Sequence, residues 1–245
     1  MKNFRLIPRI EVKSKNIIKG MQMEGLRKVG DPIDFTKKYS KEMADEIFYD
    51  DIVASLYNRP YNLKIIKELS ENLNVPLIVG GGIKNMASVS EVFKNGADRI
   101  SINTAALNRP IFIEKIAKIY GSQSVAVQMQ IKKLGNDYEV FSESGRERKN
   151  KKLFEWIKTV QNLGVGEIIF LFIDRDGMKG IADTNLLIEI RKQTNIQILY
   201  GGGVSSFEDI KKIYDIGFNG ICMSRALHFN ELHLRDLKKK MNRTN

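Results

Sequence analysis

The sequence carries a copy of part of itself. Residues Gly80 to Leu107 read GGGIKNMASVSEVFKNGADRISINTAAL, and Gly201 to His228 read GGGVSSFEDIKKIYDIGFNGICMSRALH, a shift of 121 positions with no gap. Gly80, Gly81, Gly82, Gly96, Ile100 and Ala105 meet identical residues; Val89, Val92 and Phe93 meet Ile210, Ile213 and Tyr214. A period near half of a 245-residue chain restricts the fold to one built from two similar halves. Each GGG closes a short apolar run and opens an amphipathic stretch, which reads as strand, tight turn and helix.

The same rhythm runs along the whole chain. Strand-like runs are FRLIPRIEV, DEIFYDDIV, VPLIVG, RISIN, VAVQMQI, EIIFLFI, IQILYG and GICMS, eight in all. Helical patterns such as LKIIKELSENL, IFIEKIAKIYG and LFEWIKTVQNLG separate them, several ending in the glycine that commonly caps a helix. Eight βα units predict an α/β protein, a (β/α)8 TIM barrel forming a single domain over 1–245, with strands 1–4 and 5–8 as duplicated halves. An open doubly wound sheet is the alternative, but no dinucleotide fingerprint follows the first strand.

Composition narrows the function. The formal net charge is +11, yet the basic residues form no block interleaved with aromatics, so a lysine-rich surface is expected and nucleic acid is not. The positive field favours a small anionic ligand. No run of about 18 apolar residues is present, so no membrane span is expected. The start MKNFRLIPRIEVK has no long apolar stretch, and the single cysteine, Cys222, precludes an internal disulfide. Both suit a cytoplasmic protein. His228, His233, Cys222 and the carboxylates show no metal-ligand spacing, and no cofactor is expected.

In a barrel of this kind the C-terminal strand ends carry the chemistry. Both GGG stretches fall there, each directly before a helix, where glycine admits a ligand close to the backbone and helix-start N–H groups favour an anion. Each is followed by a second strand ending in polar residues, Asn103-Thr104 in the first half and Ser224-Arg225 in the second. Two facing cradles would suit a molecule with a phosphate at both ends.

At this point a resemblance becomes specific. The segments IPRIEVKSKNIIKG, LRKVGDP, VPLIVGGGIKN, GADRISINTAA, GSQ, EIIFLFIDRDGMKG and the late pair His228-Phe229 resemble the cyclase subunit of imidazole glycerol phosphate synthase, a glutamine amidotransferase of histidine biosynthesis. The resemblance spans almost the whole chain. It implies a bis-phosphate substrate held by Gly81, Gly82, Asn103, Thr104, Asp176, Gly177, Gly202, Gly203, Ser224 and Arg225. It implies a glutaminase subunit docked on the N-terminal face of the barrel, with Asp98 facing it. It also implies an ammonia gate of four charges at strand starts, here Arg5, Glu46, Arg99 and Glu167.

The departures from that family fall at the acid–base pair. Its two catalytic aspartate positions hold Glu11, in RIEVK, and Gln130, in VQMQIKK. General acid–base work needs a group that gains and loses a proton near the working pH, and a glutamine amide does not titrate there. Met178, Gly201 and Arg225 stand where the family has small hydroxyl residues, and Leu171 and Phe172 make the end of the sixth strand more apolar. Lys19, Asp51 and Asp176 match. A retained gate with a degenerate acid–base pair implies an ammonia conduit for a third enzyme. Divergent relatives of this sort supply a synthetase-like amidotransferase that amidinates a nucleotide-linked sugar in lipopolysaccharide biosynthesis. The alternatives are a working cyclase, an isomerase of the sibling type, and a scaffold barrel without catalysis.

Overall fold

A computed structural model describes residues 1, 3–57 and 61–243 of the chain. The strands, in chain order, are β1 (Arg5–Lys13), β2 (Asn16–Met21), β3 (Glu24–Gly30), β4 (Ile47–Asp51), β5 (Leu77–Gly80), β6 (Arg99–Ile102), β7 (Val125–Leu134), β8 (Asp137–Ser142), β9 (Glu147–Lys152), β10 (Glu167–Phe172), β11 (Gln197–Gly201) and β12 (Gly220–Met223). The helices are α1 (Pro32–Lys41), α2 (Leu63–Asn72), α3 (Met86–Lys94), α4 (Thr104–Asn108), α5 (Ile111–Tyr120), α6 (Leu153–Asn162), α7 (Thr184–Gln193), α8 (Phe207–Ile216), α9 (Arg225–His228) and α10 (Leu234–Arg243).

Eight parallel strands, β1, β4, β5, β6, β7, β10, β11 and β12, pair in sequence, and β10 also pairs β7 while β12 pairs β1. These eight strands therefore close into a (β/α)8 barrel. Period-two alternation sorts the side chains into two sets. Leu6, Ile10, Tyr49, Val79, Ile100, Val127, Phe170 and Ile221 face outward and join the helices in one large core. Ile7, Phe48, Ile78, Ala126, Ile169, Leu171, Leu199 and Cys222 face inward and form a second, smaller core on the axis.

The two halves share backbone detail. Asn85 and Ser206, 121 positions apart, both close capping boxes at the start of α3 and α8, an interaction worth about 1 kcal/mol each. Gly81 and Gly202 have φ of +90° and +113°, and Gly96 and Gly217 have +95° and +102°. A Cβ on Gly81 would lie 2.1 Å from the Asp51 carbonyl oxygen, so the turn is open only to glycine. Each half also opens with a barrel strand that runs on into a hairpin: β1 pairs β2, and β7 pairs β8.

The sequence pattern did not show those hairpins. It ended the fifth barrel strand near Gln130, whereas β7 continues to Leu134 and Gln130 pairs Phe141 of β8. The antiparallel partner supplies the backbone hydrogen bonds that keep the strand going past the barrel rim.

Candidate active site

At the N-terminal end of the barrel, the floor, four charges form a closed ring. Arg5 donates to Glu46 at 2.7 Å and to Glu167; Arg99 donates to Glu46 at 3.0 Å and to Glu167. Arg5 also reaches Gln197 at 3.0 Å. Every carboxylate thus touches both arginines. Burial alone would loosen the Arg5 proton, but Glu167 and Glu46 hold it on, so Arg5 stays charged. Asp98 is exposed beside the ring, and its carboxylate caps the β5 start by accepting from Leu77 N at 2.8 Å.

Above the ring lies the dry layer of Ile7, Phe48, Ile78, Ala126, Ile169, Leu199 and Cys222, all buried. Burial pushes the Cys222 thiol pKa up, which leaves it a neutral packing group. Because inward residues recur every second position, the next layer takes Arg9 from β1, Asp50 from β4, Ser101 from β6 and Gln128 from β7. Arg9 donates to Asp50 through Nε at 3.1 Å and Nη2 at 2.8 Å, and to Glu11 through Nη1 at 2.7 Å. Gln128 Nε2 donates to the same Asp50 oxygen at 3.1 Å. The guanidinium also lies 5.9 Å over the Phe48 ring. This string runs from the first barrel strand to the fifth, across the full width of the axis. Burial works against the Arg9 charge, but Glu11, Asp50 and Asp176 outweigh it and raise its pKa.

Arg9 and Asp50 were missed in the sequence. The signal was there: Arg9 stands two residues before Glu11, and Asp50 two after Phe48, so both share an inward face. The axis is consequently not the open passage that the four floor charges alone imply.

At the C-terminal end, the mouth, Glu11 is clamped by cations. Lys19 Nζ lies 2.7 Å from its Oε2 and 2.7 Å from Asp176 Oδ1, and all three residues are buried. Gln130, on the opposite side, accepts from Gly145 N at 2.8 Å. Glu11 and Gln130 are therefore an ion-paired carboxylate and an amide locked to a loop.

Two pockets flank them. The first-half pocket is lined by Gly81, Gly82, Asn103 and Thr104 together with Gln128, Gln130, Asp50 and Asp51. Asn103 is occupied by the Gln128 and Phe141 carbonyls, while Ser101 Oγ is buried without a partner among the described residues. The second-half pocket is lined by Gly177, Gly202, Gly203 and Ser224 together with Arg9, Lys19, Asp176 and Arg225. Arg225 is turned toward Glu231, donating through Nη2 at 2.8 Å, and its Nε is buried and unmatched among the described residues. Met178 sits on the rim, half exposed. Leu171 faces the axis and Phe172 faces outward.

Fold and site together define a class: barrels of two duplicated halves, with paired glycine pockets at the mouth and a charged ring at the floor. The chain belongs to the histidine biosynthesis protein family, whose pattern matches residues 5–233. It is 38% identical over 236 residues to the imidazole glycerol phosphate synthase subunit HisF of Pelodictyon phaeoclathratiforme, covering 96% of this chain and 94% of that one. The same-named protein of Chlorobium chlorochromatii is 39% identical over 244 residues, covering 98% and 96%. That of Thermotoga sp. (strain RQ2) is 35% identical over 235 residues, covering 96% and 93%. These names agree with the cyclase-subunit resemblance. The lipopolysaccharide setting finds no support among them.

Among the described residues, no helix is long and apolar enough to cross a membrane.

Proposed function

We propose that this chain is the cyclase-type subunit of a glutamine amidotransferase of the imidazole glycerol phosphate synthase kind. A glutaminase docks on the floor beside Asp98 and releases ammonia beneath the ring. The ammonia rises along the axis to an anionic substrate lying between the two glycine pockets. The ring carries this reading: four paired charges of alternating sign directly below a dry layer. Neutral ammonia crosses such a layer at far lower cost than an ion does. The relatives' names support histidine biosynthesis as the setting, and the single buried thiol suits a reducing, cytoplasmic one.

One observation favours a second reading, in which the ammonia is handed on. Gln130 carries an amide where a proton carrier is needed, and Glu11 is ion-paired with both Arg9 and Lys19. General acid–base work needs a group that gains and loses a proton. The acceptor would then belong to a separate synthetase-like amidotransferase, with sugar amidination as its chemistry.

The isolated chain given the diphosphorylated ribulosyl substrate and ammonium salt distinguishes the two. Imidazole glycerol phosphate formed at the rate of an ordinary relative supports the first reading. No turnover, from a chain whose complex with a glutaminase still hydrolyses glutamine, supports the second. In that complex Arg5→Ala lowers glutamine-driven but not ammonium-driven product; equal effects on both would remove the floor route.

A further inference from the structure

Arg9 faces two ways. Below, it spans the axis; above, it forms the inner wall of the second-half pocket. Its side chain is 3% exposed. A guanidinium carries five N–H donors in a fixed fork. Three are matched, two by Asp50 and one by Glu11. The third carboxylate beside it, Asp176, has its Oδ1 3.9 Å from Nη1, beyond hydrogen-bond range. Two donors of a buried cation thus have no acceptor among the described residues, and buried donors are ordinarily matched.

Independent features of the same pocket agree. Arg225 Nε, from the same lining, is another buried donor without an acceptor among the described residues. The lining carries three cations, Arg9, Lys19 and Arg225, against one carboxylate, Asp176. Gly202 and Gly203 leave the backbone bare between them, at φ of +113° and +77°. Among the described residues the first-half pocket has no cation in its lining and two carboxylates, Asp50 and Asp51.

We propose that Arg9 is an arm with two positions, switched by a phosphoryl group in the second-half pocket. In one position it lies on Asp50 and bridges the axis. A phosphoryl group beside Gly202, Lys19 and Arg225 offers acceptors to its unmatched donors and draws the guanidinium up, off Asp50. Asp50 keeps its bond from Gln128 Nε2 and is not left bare. Phe48 and the dry layer then face an opened axis. The ammonia route is thereby closed until the mouth is occupied; that consequence rests on the reading of the preceding subsection, and the anion response does not.

Inorganic phosphate is the probe, titrated calorimetrically into the isolated chain and soaked into its crystals. The expected crystal shows a phosphate in the second-half pocket with Arg9 on it and away from Asp50. Asp50→Asn, which removes the competitor without changing shape, tightens binding severalfold. Arg9→Lys keeps a cation for Glu11 but loses the fork, and weakens binding about tenfold, the worth of one charge-assisted hydrogen bond. The proposal is overturned by a phosphate seated there with Arg9 still on Asp50, by one bound solely between Gly82 and Thr104, by no binding, or by an Arg9→Lys affinity equal to the parent's. None of these outcomes involves a glutaminase, so an absent ammonia route would leave them unchanged.

Discussion

The first-half and second-half pockets have nearly one backbone and two chemistries. Asn103 and Ser224 sit at φ, ψ of −126°, −78° and −124°, −82°, and the glycines before them share the positive-φ turn. Yet among the described residues one pocket is amides, hydroxyls and two acids, while the other is three cations about one acid. Duplication fixed the loop path, where only glycine fits. Side chains hung on that path were free to diverge, because changing them leaves the main-chain hydrogen bonds in place.

Four measurements probe the contrast, beginning with the largest effect. Arg9→Ala, on the second-half wall, strips Asp50 and Glu11 of a shared buried partner and is expected to cost about 3–5 kcal/mol in urea unfolding. A loss under 1 kcal/mol would mean the layer is not held by that cation.

Next comes the turn. Gly81→Ala puts a Cβ 2.1 Å from a backbone oxygen, Gly202→Ala one at 2.9 Å. Both adopt a strained φ, at about 1–3 kcal/mol, and the first-half variant loses more. Equal losses would show that the halves have the same clearance.

The third concerns pH. His228 of α9 corresponds to Leu107 of the first half, so only the second half titrates there. Burial first, then Lys19, lowers its pKa to about 3, and it stays neutral against the Tyr39 hydroxyl at 2.7 Å. The unfolded histidine takes a proton near pH 6.5 that the folded one refuses. Stability is therefore full above pH 6.5 and falls as pH drops toward 3. At pH 5.5 the loss is about 1.4 kcal/mol. His228→Gln should flatten that slope in denaturation midpoints taken from pH 7 to 5.5; an unchanged slope would place the titrating group elsewhere.

The smallest is Arg225→Ala. Its Glu231 partner is 31% exposed, so the pair contributes about 1 kcal/mol or less to stability. Under the two-position arm it nonetheless weakens phosphate binding, which separates its ligand role from a packing role.

Much of the architecture was legible because it follows from period. Apolar runs gave the eight barrel strands, and the 121-residue repeat gave the halves. The hairpins were not legible: EGLRKVG and ERKNKK are polar on both faces, and their pairing comes from a neighbour strand instead of from burial. The floor charges were visible as strand openers. Arg9 was not, since a charge inside an apolar strand is read as surface until the inward register is applied to it. Gln130 was noticed for its chemistry, but nothing in the sequence told that Gly145 would hold its carbonyl.

Arg5, Arg9 and Glu11 ride on one uninterrupted strand, β1, all on its axial side. Six residues of extended chain reach about 20 Å with no hinge between. Under the proposed function, a protein gripping the underside of this barrel would hold the near end of a strand whose far half borders the second-half pocket. The floor and the mouth are thus joined by one unbroken length of backbone.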